Sequence, residues 1–232
     1  MLGIDPVSAI VIVEQPPLHI PDGFISAPVA ATGWLVSAGI IAFAVRRTDH
    51  NLEERAVPLM GVLAAFIFAA QMVNFPVVGG TSGHLIGGAL AAILLGPWAA
   101  IIVMTAVVGL QALLFQDGGF AALGVNVLNL SVLSVVVATV IHRGAVAAGA
   151  SGVLLTIAVF AAAWFSVEAA AVATAIQLAI SNTSPAAVAL PALMGVHALI
   201  GVGEAFITIG ALGLIRVARP DLIVLPIRSG TS

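Results

Sequence analysis

Long runs of apolar residues, broken by short polar or Pro/Gly-rich stretches, cover most of this 232-residue chain. A run of about 20 apolar residues can cross a hydrocarbon core as a helix, which satisfies its own backbone hydrogen bonds in lipid. Only 7% of the residues are charged and 61% are hydrophobic, whereas about 25% are charged in a soluble domain. The sequence therefore predicts an all-α integral membrane protein and leaves no room for a sizeable soluble domain.

Helix breakers divide the apolar sequence into seven candidate spans. They cover residues 28–45, 57–74, 84–95, 97–115, 121–141, 150–180 and 188–215. The third is short and is separated from the fourth only by Gly96 and Pro97, so it is either a half-span or one part of a kinked element. We expect a bundle of about seven transmembrane helices over residues 18–217 and a cytoplasmic tail over residues 218–232.

Arginine is the topology marker in this chain, which contains no lysine. All seven arginines follow odd-numbered spans: Arg46, Arg47, Arg55, Arg143, Arg216, Arg219 and Arg228. Since positively charged loops stay in the cytoplasm, the N-terminus is predicted outside and the C-terminus in the cytoplasm. Fusing the third and fourth spans would place arginines on both sides, so their distribution favours seven spans.

This topology collects four polar stretches on the outer face. They read LHIPDG (18–23), NFPVVGGTSGH (74–84), QDGG (116–119) and SNTSP (181–185). His19 and His84 lie beside glycine or proline turns that allow close backbone approach. Imidazole binds nickel, copper, cobalt and zinc, and the chain has no cysteine to compete as a ligand. The alternative for this pair is two interfacial histidines that are hydrogen-bonded to loop carbonyls.

Ionisable residues inside predicted spans are costly and are functional hypotheses by default. Here they are Glu168 in the sixth span and His197 and Glu204 in the seventh. His197 and Glu204 are seven residues apart, so they share a helix face about 10 Å along the axis. Both are candidates for orienting a ligand residue or for bonding between helices.

Four further polar residues are candidates for hydrogen bonds to metal ligands: Asp22, Asn74, Thr81 and Ser82. For Asp22 we favour a different role, in which it caps the first span through its Asp-Gly turn.

A serine protease is a second functional hypothesis. Residues 80–83 fit a G-x-S-G pattern, and Ser82 with His197 resembles the serine and histidine of rhomboid-type intramembrane proteases. The same four residues are also typical of a turn that caps a helix.

The net charge of −3 gives no reason to expect a nucleic-acid partner. Without lysine there is no Walker motif, so active transport would need a separate ATPase.

Four blocks of the sequence resemble the CbiM/NikM family, the substrate-binding membrane subunits of energy-coupling-factor transporters for cobalt and nickel. They are HIPDGF (19–24), AAQMVNFPVVGGTSGHLIGGALAAILLGPWAA (69–100), QALLFQDGGFAALGVNVLN (111–129) and LPALMGVHALIGVGEA (190–205). The resemblance implies a seven-helix protein of the prokaryotic plasma membrane that captures Ni²⁺ or Co²⁺ from outside as substrate and has no permanent cofactor. It also implies a transmembrane coupling subunit, cytoplasmic ATPase subunits and, in many systems, a small accessory membrane subunit.

The family also implies a ligand set. Its chains begin Met-His-Ile-x-[DE]-Gly, and the metal is held by the terminal amine, by the amide nitrogen and imidazole of the second residue, and by a histidine in the GTSGH loop. The two imidazoles correspond to His19 and His84. Four nitrogens in a plane suit Ni²⁺ and Cu²⁺ rather than tetrahedral Zn²⁺, and they do not tell nickel from cobalt. Affinity is expected to fall as pH drops through an imidazole pKa of about 6.5.

The sequence departs from the family pattern in front of His19, because 17 residues precede Leu18. Residues 1–17 lack a basic region typical of a signal peptide, and their apolar part is too short to span a membrane. Translation could start at Leu18, the extension could be removed before Leu18, or another ligand could replace the amine. We favour a start at Leu18, whose amine would then complete the site.

Overall fold

The computed structural model describes residues 19–49, 56–72, 75–77 and 81–220. Its helices are Ala27–Asp49 (α1), Ala56–Gln71 (α2), Gly88–Leu95 (α3), Pro97–Leu114 (α4), Leu123–Val127 (α5), Ser134–Ala147 (α6), Gly152–Ile180 (α7) and Ala186–Ala218 (α8), and a π-helical segment, Leu128–Leu133, joins α5 to α6. Two short strands, Phe75–Val77 (β1) and Thr81–Gly83 (β2), form an antiparallel hairpin between α2 and α3.

The expected helical membrane protein is observed, with one correction to the span lengths. Among the described residues, five helical segments are long and apolar enough to cross a membrane, and they cover residues 27–48, 97–114, 123–147, 152–180 and 186–218. The apolar segment Val57–Gln71 is shorter. The third predicted span contains only the eight residues of α3, which extend about 12 Å and cannot cross the hydrocarbon core alone.

The break between α3 and α4 follows from two neighbouring residues. Gly96 adopts a positive φ of 75°, which favours glycine, and Pro97 opens α4 at a position where its missing amide hydrogen is not needed. Of the two alternatives for the third span, the structure therefore supports a half-span followed by a separate helix.

Helix α3 lies at the centre of the bundle. Seven of its eight residues are buried, and it packs against α4, α6 and α7. Such a helix is apolar on every side because it has no face in contact with solvent or lipid. Since His84 lies four residues before the first residue of α3, the central position of α3 brings this histidine into the interior.

Several helices begin or end on the same side of the bundle as residues 19–22. We call this side the histidine end, because it contains His19. The amide of Ser26, just before α1, donates to Oγ of Ser181 after α7 (3.0 Å). Nε1 of Trp34 donates to the carbonyl of Ala121 in front of α5 (3.2 Å). The five described arginines lie near the opposite ends of α1, α6 and α8: Arg46, Arg47, Arg143, Arg216 and Arg219. The described arginines therefore share one end of the bundle, and the side of the membrane that this end faces stays a prediction; Arg55 and Arg228 lie outside the described residues.

Candidate metal centre

The structure brings His19 and His84 together at the histidine end. Their ring centroids are 5.0 Å apart and their planes differ by 23°. Both residues are buried, with 0% and 2% of their surface exposed. Two stacked imidazoles in the interior are unusual, because buried polar groups normally have hydrogen-bond partners. A ligand held between or beside the rings would supply such a partner.

The hydrogen bonds of His84 leave one of its ring nitrogens free. Nδ1 lies 2.8 Å from the carbonyl oxygen of Leu85, and because a carbonyl can only accept, we infer that Nδ1 carries the proton. Nε2 then holds a lone pair, and it has no hydrogen-bond partner within the described part of the chain. A carbonyl that fixes the tautomer in this way is a common companion of a metal-binding histidine.

The pKa of His84 is also suited to metal binding. Burial, together with the neighbouring His19, lowers the pKa of His84 from 6.5 to about 4, although its bond to the Leu85 carbonyl raises it slightly. His84 lies in the loop before α3, outside the spanning helices. It is therefore neutral at physiological pH, so its lone pair is available without loss of a proton.

This lowered pKa predicts that the His84 ring of the metal-free protein stays neutral at pH 5.5, where an ordinary imidazole would be about 90% protonated. Because the unfolded chain binds this proton first, the stabilisation is complete above pH 6.5 and is lost as pH falls toward 4. ¹⁵N chemical shifts of labelled histidine rings would test this, with His84→Gln assigning the signal. A His84 ring that is protonated at pH 6 would contradict it.

The segment that carries His19 is held by Asn126 at the start of the α5–α6 region. The amide of Ile20 donates to Oδ1 of Asn126 (2.8 Å), and Nδ2 of Asn126 donates to the carbonyl of Ile20 (3.1 Å). The amide of Gly119 donates to the same carbonyl (2.9 Å). Sequence reasoning did not select Asn126. A buried asparagine in an apolar helix was the signal that could have revealed it.

Asp22 has a different role from the one we favoured. Its carboxylate accepts hydrogen bonds from the amides of Phe120 (3.0 Å), Ala121 (2.8 Å) and Ala122 (3.2 Å). These amides belong to the turn in front of α5, so the Asp22 carboxylate holds that turn rather than capping the first span. A β-carbon at Gly119 would collide with the backbone and carboxylate of Asp22, so the QDGG stretch needs glycine at this position to lie against residues 19–22.

Asp117 is a site residue that the sequence analysis did not single out. Its Oδ1 lies 3.1 Å from Nδ1 of His19. Burial raises the pKa of Asp117, but the contact with His19 and the influence of both histidines outweigh burial, so that pKa is lowered overall. Within residues 19–49, 56–72, 75–77 and 81–220, no three histidine or carboxylate side chains converge to form a ready-made metal site.

Glu204 holds the loop that carries His84. This buried residue of α8 accepts hydrogen bonds from the amides of Ile86 (2.6 Å) and Gly87 (2.9 Å). Nε2 of Gln71 in α2 donates to the carbonyl of Ile86 (2.5 Å). The loop is therefore tied to two helices within three residues of His84. These contacts are consistent with the expected role of Glu204 in orienting a ligand residue, which stays a prediction.

His197 lies close enough to influence His84. It contributes to the lowered pKa of His84. Its Nδ1 lies 2.6 Å from the carbonyl of Leu193 one turn earlier in α8. Its Nε2 is buried and finds no hydrogen-bond partner among the residues described. Glu168 is also buried, in α7.

The remaining candidates cannot be placed in the site. Leu18 and Asn74 lie outside the described residues. Thr81 and Ser82 belong to β2, opposite β1, and only their backbone is described. Their suggested hydrogen bonds therefore stay predictions.

Comparisons with known proteins agree with the resemblance found in the sequence. Residues 19–222 match a family model described as the cobalt uptake substrate-specific transmembrane region, CbiM. A relative from Haloquadratum walsbyi, provisionally named a metal transport protein, is 42% identical and covers 89% of this chain and 93% of its own. The fused nickel transport protein NikMN of Rhodobacter capsulatus is 32% identical over 89% of this chain and 64% of its own length.

A crystal structure of a truncated transition metal transporter has the same fold. It is 33% identical in sequence, with a TM-score of 0.77, and the match covers 85% of this chain and 97% of that one.

Proposed function

Since the chain belongs to the CbiM family of cobalt-uptake transmembrane proteins, we propose that it is the substrate-capture subunit of an energy-coupling-factor importer for Ni²⁺ or Co²⁺. As a family member it is a multi-pass component of cobalt or nickel transport in the plasma membrane. The main support for this substrate-capture role is the buried pair His19 and His84, whose rings lie 5.0 Å apart. A bound cation would provide a partner for the buried ring nitrogens that have none among the described residues.

The cargo ion is held by nitrogen ligands in this proposal. His84 contributes Nε2, and His19 contributes its ring and its amide nitrogen. In a chain that begins at Leu18, the terminal amine of Leu18 is the fourth ligand. A plane of nitrogens favours Ni²⁺ and disfavours Zn²⁺, which prefers a tetrahedron. The ion is the transported substrate and not a resident cofactor.

The direction of capture follows from the two ends of the bundle. The histidine end faces outside in this proposal, because the described arginines lie toward the other end and positive loops stay in the cytoplasm. Metal therefore binds from the outside, and the arginine end faces the ATPase subunits.

Partner subunits are needed to drive transport. The chain lacks a Walker motif, so we assign nucleotide hydrolysis to cytoplasmic ATPase subunits, which act through a transmembrane coupling subunit. A small accessory membrane subunit completes the complex in many systems of this type. The serine protease alternative gains no support, because the relatives found are transport proteins.

Calorimetric titration of the purified protein tests this function, both with the full chain and with a chain that begins at Leu18, and the outcomes below refer to both forms. We expect saturable, roughly one-to-one binding of Ni²⁺ and of Co²⁺, with a dissociation constant of about 1 µM or below, equivalent to at least about 8 kcal/mol. Mg²⁺ serves as the control ion, since it prefers oxygen ligands and keeps its waters. Absence of saturable binding for both transition metals would refute the proposed function.

A further inference from the structure

We propose that Asp117 is the entry ligand of this site: its carboxylate receives the divalent cation first and then releases Nδ1 of His19 to it. This inference rests on the proposed function, and it concerns how the ion arrives. Neither the family match nor the relatives assign a role to Asp117.

Differences in exposure support a first contact at Asp117. The His19 side chain has no exposed surface, whereas 24% of the Asp117 side chain is exposed. His84 is 2% exposed. An ion coming from water can therefore reach the Asp117 carboxylate before it reaches either imidazole. A hydrated divalent cation also prefers an oxygen ligand while it still carries its waters.

Because Asp117 contacts His19, the ion must displace the Asp117 carboxylate before it can bind His19. Oδ1 of Asp117 lies 3.1 Å from Nδ1 of His19, the nitrogen that the chelate with the adjacent amide requires. The carboxylate and the metal ion compete for this nitrogen. When the ion takes Nδ1, any proton there moves to Nε2, which has no hydrogen-bond partner within the described segments. Asp117 is then free to turn toward solvent or to stay on the ion.

The backbone around Asp117 is suited to presenting its carboxylate. Gln116 has a φ of 56° and Gly118 a φ of 94°, so Asp117 is flanked by two left-handed residues. Such conformations cost free energy in a residue with a side chain and often occur at functional sites. A β-carbon at Gly118 would lie 3.0 Å from both His19 and Asn126. The loop is thus pressed against the segment that carries His19.

The charge of Asp117 should act mainly on the association rate. The Asp117 carboxylate at the mouth of the site attracts a dication, and such attraction is weakened by salt. Once both imidazoles have bound the ion, the carboxylate is no longer needed. Loss of the charge should therefore slow binding more than it weakens final affinity.

Stopped-flow binding of Ni²⁺ to the full-length protein tests this, with quenching of tryptophan fluorescence as the signal. Trp34 is a suitable reporter, because it bonds to Ala121 and its ring lies 5.8 Å from Phe120 in the same loop. We expect Asp117→Asn to lower the association rate constant at least about tenfold and to reduce its salt dependence. Asp117→Glu, which keeps the carboxylate, should restore most of the rate.

A matched control removes the same charge elsewhere. Glu53→Gln changes the connection between α1 and α2 and should leave the rate as in the unaltered protein. Unchanged association in Asp117→Asn would overturn the inference, as would an affinity loss that arises wholly from faster dissociation. If Asp117→Asn fails to fold, a salt-independent association rate in the unaltered protein overturns it. If the proposed function itself is wrong, the unaltered protein binds no Ni²⁺ or Co²⁺, which distinguishes that outcome from failure of the inference about Asp117.

Discussion

We expect replacement of His84 by alanine to abolish saturable Ni²⁺ and Co²⁺ binding, and replacement of His19 by alanine to have the same effect. Each change removes one of the two stacked imidazoles, whose centroids are 5.0 Å apart. Loss of a residue that merely supports a metal ligand costs about 10- to 100-fold in affinity, so loss of a ligand should cost at least about 100-fold. Calorimetric titration of each purified variant measures this directly.

His142→Ala is the matched control for these variants. His142 is a half-buried histidine of α6, toward the end of the bundle where the arginines lie. Its removal should leave metal binding intact. Thermal melting of all three variants distinguishes loss of a ligand from loss of fold. If either His19→Ala or His84→Ala binds Ni²⁺ as tightly as the unaltered protein, that residue is not a ligand.

Replacing Glu204 by alanine is expected to lower Ni²⁺ affinity about 100-fold although Glu204 is not assigned as a ligand. The carboxyl group accepts two hydrogen bonds, from Ile86 and Gly87, and leaving a buried amide without its partner costs about 1–3 kcal/mol. Without them two amides next to His84 lose their partners, and the loop no longer holds Nε2 of His84 in place. Titration with Ni²⁺ and thermal melting measure the two consequences separately.

Two further variants sharpen this prediction. Glu204→Gln keeps one carbonyl oxygen as an acceptor, so its affinity should fall only about tenfold. Glu168→Gln alters another buried acid, in α7, and should change the affinity by no more than about threefold. A Glu204→Ala protein that binds Ni²⁺ normally would show that the loop does not depend on α8.

The helical membrane class could be predicted because it depends on local composition. A run of apolar residues is sufficient to indicate a span, and Gly96 with Pro97 is sufficient to indicate a break between helices. The length of α3 was harder to predict. Leu85, Ile86 and Gly87 are as apolar or as small as the residues of a helix, but hydrogen bonds of Ile86 with Gln71 and Glu204 hold them in a loop.

His19 and His84 could be selected from the sequence because polar residues are rare in this chain and these two lie in motifs that resemble one family. The same reasoning did not select Asp117 or Asn126, although both lie in a block that resembles the family. Asn126 matters through two bonds to Ile20, 106 residues away in sequence. The role of Asp22 was misjudged for the same reason, because its bonding partners lie about 100 residues further on.

The sequence by itself determined that this protein is a helical membrane protein with its polar chemistry concentrated in a few loops, because hydropathy and breakers act over short stretches. Only the tertiary structure decided which polar groups meet. It placed His19 against Asp117 and joined the His84 loop to Glu204, 118 residues beyond Ile86. Such contacts depend on how α3, α5 and α8 pack, and helix packing is a property of the whole chain that no single segment encodes.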